Sequence, residues 1–175
     1  MSYGFHYFKG EHLDRVRRLQ NYVIDLCKDL DWDDSKIDVS KNWVIAHYIS
    51  ASQIARLLAL KRGYDSELSA AAGALHDIGL IVNGGMESKH AANGRARAVE
   101  ILNTVGDFNT EEVELIANAV ARHSEKDKIG TWLDEVIKDT DVLDCTLHGS
   151  DFSTHEYHFK RVKNLEKELG IALTK

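Results

Sequence analysis

At 175 residues, with 43% hydrophobic and 29% charged residues, the chain is long enough for one sizeable core and short for two domains, so a single domain over residues 1–175 is expected. The lack of proline favours helices over a sheet protein rich in tight turns, and an all-α bundle is the expected fold class. A net charge of −6 argues against a nucleic-acid scaffold, and the lack of a basic-flanked apolar start or of any apolar run of roughly 18 residues points to a soluble cytoplasmic protein with no membrane partner.

Residues 11–31 place Leu13, Val16, Leu19, Val23, Leu26 and Leu30 three and four apart, the spacing of an amphipathic scaffold helix. His6 and His12 lie at or before its start and read as solvated surface residues. The polar stretch from Asp31 to Val39 reads as a loop, and Ser40 supplies an N-cap for a second helix that Gly63 stops after Arg62. On that helix Trp43, Ile54, Leu57 and Leu58 share a face, with His47 in its middle. Taken alone, such a histidine is more often a satisfied core residue than a ligand.

Asp65 caps a short helix through Leu68, Ala71, Ala72 and Leu75 to His76 and Asp77. The run Ala70-Ala71-Ala72-Gly73-Ala74 allows close helix approach, as expected of an element at the centre of a bundle. Gly79 is expected to end this helix in a turn that points Asp77 back, and Asn83-Gly84-Gly85 continues as a loop. Ser88 can cap the next helix, Lys89 to Val105, closed by Gly106. Its buried stripe is Gly94, Ala98, Ile101, Leu102 and Val105, with His90 at the edge. Arg97, two turns on from His90 and near the same side, is the first candidate for a substrate phosphate; a solvated arginine is the competing reading.

Asn109 and Glu112 form a capping box for the following helix, whose core face is Val113, Ile116, Ala117 and Val120. His123 projects at its last turn, as a ligand or as a cap interacting with the helix dipole, and the polar loop Ser124 to Lys128 gives no separate signal. Thr131 and Asp134 start the helix Trp132 to Leu147, with Leu133, Val136, Ile137, Thr140, Leu143 and Leu147 inward and Gly149 at its end. Asp134 and Asp139 face away and read as solvent-exposed, whereas Asp144 falls near the centre of the stripe and Asp141 at its border, so both need partners. Ser153 and Glu156 read as a capping box for a last helix with Phe159, Val162, Leu165 and Leu169 inward. His148, His155 and His158 read as surface histidines, and Cys27 and Cys145 as reduced and packed.

Adjacent imidazole and carboxylate in His76-Asp77-Ile78-Gly79 can reach one metal ion from the end of a helix and the turn beyond it. His47, His90, His123 and Asp141 sit on or beside apolar faces of other helices, where an unpaired polar group costs roughly 1–3 kcal/mol and a shared ion would supply the missing partners. This order, His47, His76-Asp77, His90, His123, Asp141, resembles the HD superfamily of metal-dependent phosphohydrolases over about residues 40–147. His90-Ala91-Ala92-Asn93-Gly94 and Ala119-Val120-Ala121-Arg122-His123-Ser124 are similar to segments of the small bacterial enzymes that split diadenosine tetraphosphate symmetrically. Lys138-Asp139-Thr140-Asp141-Val142-Leu143-Asp144 resembles the closing motif of the superfamily.

The resemblance implies an HD-type helical bundle with the terminal helices packed on the motif core. It implies that His47, His76, Asp77 and Asp141 hold one ion, and that Asp77, also the expected catalytic residue, reaches a second held by His90 and His123. Asp144 then hydrogen-bonds a ligand. Imidazole and carboxylate without thiolate suit iron, manganese or zinc without choosing among them. The activity implied is hydrolysis of a nucleotide or related phosphate ester by a metal-activated water; a module that binds a nucleotide without turnover is the alternative. Where those hydrolases usually carry Lys after the motif, this chain has Leu80, which favours a smaller substrate such as a nucleoside monophosphate. Ser124 stands where cyclic-dinucleotide phosphodiesterases of the family carry a second His, which argues against that substrate.

Overall fold

The structure, a computed structural model, describes residues 14–29, 40–83 and 90–173, with the backbone alone at Val82, Asn83, His90 and Ala92. Among these residues there are eight helices and no strand: α1 (Arg15–Asp29), α2 (Lys41–Arg62), α3 (Ser66–Leu75), α4 (Ile78–Asn83), α5 (His90–Val105), α6 (Thr110–Arg122), α7 (Trp132–Leu147) and α8 (Glu156–Leu169). The expected readings of His6, His12, the 31–39 loop, Gly84, Gly85 and the Ser88 cap lie outside the described residues. Among the described residues no helix is long and apolar enough to cross a membrane.

Local chemistry sets the helix ends. The Ser40 hydroxyl accepts from Trp43 N and Asp65 accepts from Glu67 N and Leu68 N, while Asn109–Glu112 and Thr131–Asp134 form reciprocal capping boxes. Each such cap is worth about 1 kcal/mol. At Gly63, φ is 72°, a left-handed conformation that costs glycine little and lets its N–H close the last turn of α2.

The centre of the bundle is α3, which packs on α1, α2, α6 and α7. Every residue from Leu68 to Leu75 is buried. Small side chains make that possible: a Cβ on Gly73 would lie 2.8 Å from the carbonyl oxygen of Ala51 and 3.0 Å from Ala55 Cβ on α2. Leu75, Ile78, Ile101, Ile116, Leu133 and Ile137 fill the space around it. Each such side chain contributes about 1.5–3 kcal/mol relative to an exposed one.

Four expectations are corrected. The helix does not run on to Gly79; it stops at Leu75, turns at His76-Asp77 and resumes as α4, with Gly79 inside that helix. Burial of Ile78, Leu80 and Ile81 draws the chain onward into the core, and Leu80 N closes the turn on Asp77 O at 2.8 Å. Close approach of α4 and α5 here rests on Gly94, where a Cβ would lie 3.2 Å from Gly79 N. Leu57 and Leu147, expected inside, are 66% and 60% exposed: Leu57 lies off the buried 44, 47, 48, 51, 55, 58 stripe and Leu147 is at the last turn of α7. Asp134 and Asp139, expected in solvent, are not. Asp134 is buried as the capping-box residue, and Asp139 is held between Arg62 on α2 and Arg161 on α8 at 2.7 and 2.6 Å. Finally, His155 rather than Ser153 stands at the N-cap of α8, with no side-chain cap bond; Ser153 lies in the turn before it, where its N–H donates to Asp151 Oδ1.

Candidate metal centre

Four elements converge at one end of α3. The middle of α2 contributes His47, the turn after α3 contributes His76 and Asp77, the first residue past α6 is His123, and α7 presents Asp141 and Asp144. His47, His76 and His123 are each at most 1% exposed and Asp77 is 7% exposed. Burial at this level demands partners for every nitrogen and oxygen.

The three rings are anchored alike. His76 Nδ1–H donates to Gly73 O at 2.8 Å and His123 Nδ1–H donates to Val120 O at 2.7 Å; a carbonyl only accepts, which fixes both tautomers. His47 Nδ1 faces the Asp144 carboxylate at 2.5 Å. All three Nε2 atoms are thereby turned inward. Such outer hydrogen bonds orient metal-binding histidines and raise their basicity.

Inside, His47 Nε2 and His76 Nε2 are 2.9 Å apart, each 3.4 Å from Asp77 Oδ2 and 4.0 and 3.8 Å from Asp141 Oδ1. His123 Nε2 lies 3.0 Å from the other Asp77 oxygen, Oδ1. Two Nε2 lone pairs cannot face each other at 2.9 Å without a proton or a cation between them. Nitrogens held about 2.0–2.1 Å from one ion at right angles stand about 3 Å apart. The His47, His76 and Asp77 donors, imidazole nitrogen and carboxylate oxygen, therefore fit a divalent ion of the iron, manganese or zinc kind, and Cys145 Sγ joins His47 and Asp141 in a second group close enough to hold one.

The charges agree with such a site. Burial disfavours a charged His47, but Asp144, then Asp77 and Asp141, outweigh it and raise its pKa to about 10. His76, with no carboxylate on its Nδ1 side, is lowered to about 4, chiefly by burial. Asp141 is the most accessible member, its side chain 18% exposed; burial acts to raise its carboxyl pKa, but Lys126 and the neighbouring imidazoles hold it below the usual range.

Among the other residues singled out from the sequence, His90 opens α5, and its side chain lies outside the described part. Arg97 is 26% exposed and pairs with Glu100 at 2.5 Å; no recorded contact among the described residues joins it to the histidines. His148 Nδ1–H donates to Asp144 O at 2.9 Å, while His155 and His158 gather around Phe152.

Sequence reasoning missed Lys126, Tyr48 and the position of Cys145. Lys126, 6% exposed, places its ammonium 2.5 Å from Asp141 Oδ2; within Ser-Glu-Lys-Asp-Lys it looked like any solvated lysine. The Tyr48 hydroxyl donates to Asp77 O at 2.7 Å and pins the turn. Cys145 Sγ is 3.5 Å from Asp141 Oδ1, and the spacing of four from Asp141 on a helix was a signal available beforehand.

The HD domain family matches residues 44–146, well over half of the chain. The chain belongs to the HD domain family. Ribonuclease Y from Lawsonia intracellularis is 32% identical over 128 residues, 73% of this chain and 23% of the relative. The ribonucleases Y of Opitutus terrae and Clostridium tetani are each 29% identical, over 74% and 71% of this chain and 23% and 22% of their own lengths. The chain thus spans under a quarter of these relatives, which are ribonucleases Y rather than the diadenosine tetraphosphate hydrolases toward which the motif segments lean. No solved structure matches the chain significantly.

Within this HD domain, Asp144 is buried against His47 and its role is testable apart from the ligands. Asp144→Ala is expected to weaken metal binding about 10–100-fold while the other donors stay in place, measured by competition with a chromophoric chelator. Unchanged affinity would reduce Asp144 to a packing role.

Proposed function

We propose that this HD domain is a metal-dependent phosphohydrolase that cleaves a phosphate ester of a nucleotide or a ribonucleotide chain. The observation that carries this reading is the inward convergence of three Nε2 atoms and the carboxylates of Asp77 and Asp141. A divalent ion held by His47, His76, Asp77 and Asp141 would supply Lewis-acid polarisation of a phosphoryl oxygen and of the attacking water. The side chains do the rest. Asp77 spends one oxygen on the His47–His76 side and the other on the His123 side, so it can order both halves of the centre and accept a proton from water between them. Asp144, Gly73 O and Val120 O keep the imidazoles from swinging out. A second ion, shared by Asp77 and His123 with His90, belongs to the same proposal.

Depth bears on the substrate. With the histidines buried and Asp141 the most open member, a terminal phosphate or a flexible single strand fits the approach better than a rigid duplex. The relatives are ribonucleases by name, which supports an RNA phosphodiester beside smaller nucleotides. Leu80 is 1% exposed, so core packing accounts for leucine there and its identity does not bear on substrate size. Arg97 enters this reading as a phosphate contact that must first leave Glu100.

The test is a substrate panel of nucleoside monophosphates, diadenosine tetraphosphate and a single-stranded RNA oligonucleotide, each with added Mn2+ and with excess chelator. Product release that chelator abolishes and metal restores is expected for at least one member. Metal-dependent affinity with no product from any of them would favour the alternative, a module that binds nucleotide without turnover.

A further inference from the structure

The loop after α6 is fastened so as to bury one cation. Arg161 of α8 donates to Lys126 O at 3.1 Å, the buried Lys138 of α7 donates to Lys128 O at 2.8 Å, and Lys126 N closes on Ser124 O at 2.9 Å. Between these anchors the Lys126 side chain turns inward, only 3% exposed. Its ammonium meets two acceptors, Asp141 Oδ2 at 2.5 Å and His123 O at 2.7 Å, and both belong to residues of the metal centre. Burying an ammonium without compensation is among the most costly things a fold can do, so a loop shaped to achieve it calls for an explanation.

The two oxygens of Asp141 are divided. Oδ2 is taken by the ammonium, whereas Oδ1 faces His76 Nε2 at 3.8 Å, His47 Nε2 at 4.0 Å and Cys145 Sγ at 3.5 Å. Asp77, Asp141 and Asp144 bring three carboxylates around the same histidines, and Lys126 pairs with one of them, Asp141.

We propose that Lys126 is the built-in counter-cation of this centre, a positioning residue that holds Asp141 by one oxygen so that only the other faces the histidines. The inference rests on the metal-centre reading above. It gives Asp141 a fixed single-oxygen presentation and keeps the carboxylates together when no ion is bound. A lysine that merely clamped the loop would act through His123 O and would be indifferent to the charge of residue 141.

That difference is measurable in the 175-residue chain. Melting temperatures in excess chelator are compared for wild type, K126M, D141N and the double variant. The fall caused by K126M is expected to be at least about twice as large with Asp at 141 as with Asn there, because the double variant strands no carboxylate. Recovery of folded K126M only in the D141N background would be the same result in stronger form; if K126M fails in both, K126Q carries the comparison. Equal falls in both backgrounds overturn the proposal. With saturating Mn2+ the gap between wild type and K126M is expected to narrow, and a gap of unchanged size would confine Lys126 to clamping the loop. The response of wild type itself to Mn2+, Zn2+ and Fe2+ judges the metal reading separately, while the cycle in chelator still judges the Lys126–Asp141 pair.

Discussion

Asp77→Ala is expected to leave a helical protein that retains almost no metal and hydrolyses phosphate esters at least about 10³-fold more slowly, a loss of about 4 kcal/mol of transition-state stabilisation. Among the described residues no other side chain is placed to do its work. One oxygen sits 3.4 Å from both His47 and His76, the other 3.0 Å from His123, so a single truncation removes the carboxylate from both sides of the centre. The fold should survive, because the turn is held through the backbone by the Tyr48 hydroxyl and by Leu80 N, neither of which touches the carboxylate. Elemental analysis, circular dichroism and product assays on the same preparation check the three parts. Full activity with stoichiometric metal would remove Asp77 from the centre.

Gly73→Val is expected to be the most damaging single change away from the ligands. Even a bare Cβ at this position meets main-chain atoms of Ala51 at 2.8 and 3.1 Å, and a helix backbone cannot step aside as a flexible side chain can. Two further methyl groups force α2 and α3 apart across the most buried contact of the bundle. A cost of about 3 kcal/mol, the upper part of the overpacking range, corresponds to a melting temperature lowered by roughly 6–12 °C in a domain of this size. Because Gly73 O also anchors the His76 ring, metal affinity should fall with it. A melting temperature within about 2 °C of wild type would show that the helix pair is looser than its geometry implies.

The features that sequence reading recovered are those whose cause is local. Periodic apolar spacing located the helices, and Ser40, Asp65, Asn109 and Thr131 announced their starts because a cap and its partner are at most three residues apart. The clustered histidines and aspartates were legible for a related reason: each lay on or beside an apolar face, where a polar side chain demands a partner. What escaped depends on partners distant in the chain. Asp139 looked solvated because Arg62 and Arg161, which bury it, arrive from α2 and α8. Lys126 looked solvated because its burial is decided by a loop fastened through Arg161 and Lys138. The break at His76-Asp77 was placed two residues late at Gly79, since burial of Ile78, Leu80 and Ile81 carries the helix on through that glycine.

His76 and His123 share a position as well as a role. Each is the first residue past the end of its helix, still in right-handed helical conformation, and each returns its Nδ1–H to the carbonyl three residues back. Those carbonyls are among the acceptors that a helix terminus leaves without a backbone partner. The imidazole that finishes the helix is therefore the same group that is aimed into the candidate metal centre. Fraying of either terminus and loosening of the metal become one event, so occupancy of the centre should be felt as slower local opening at the C-terminal turns of α3 and α6.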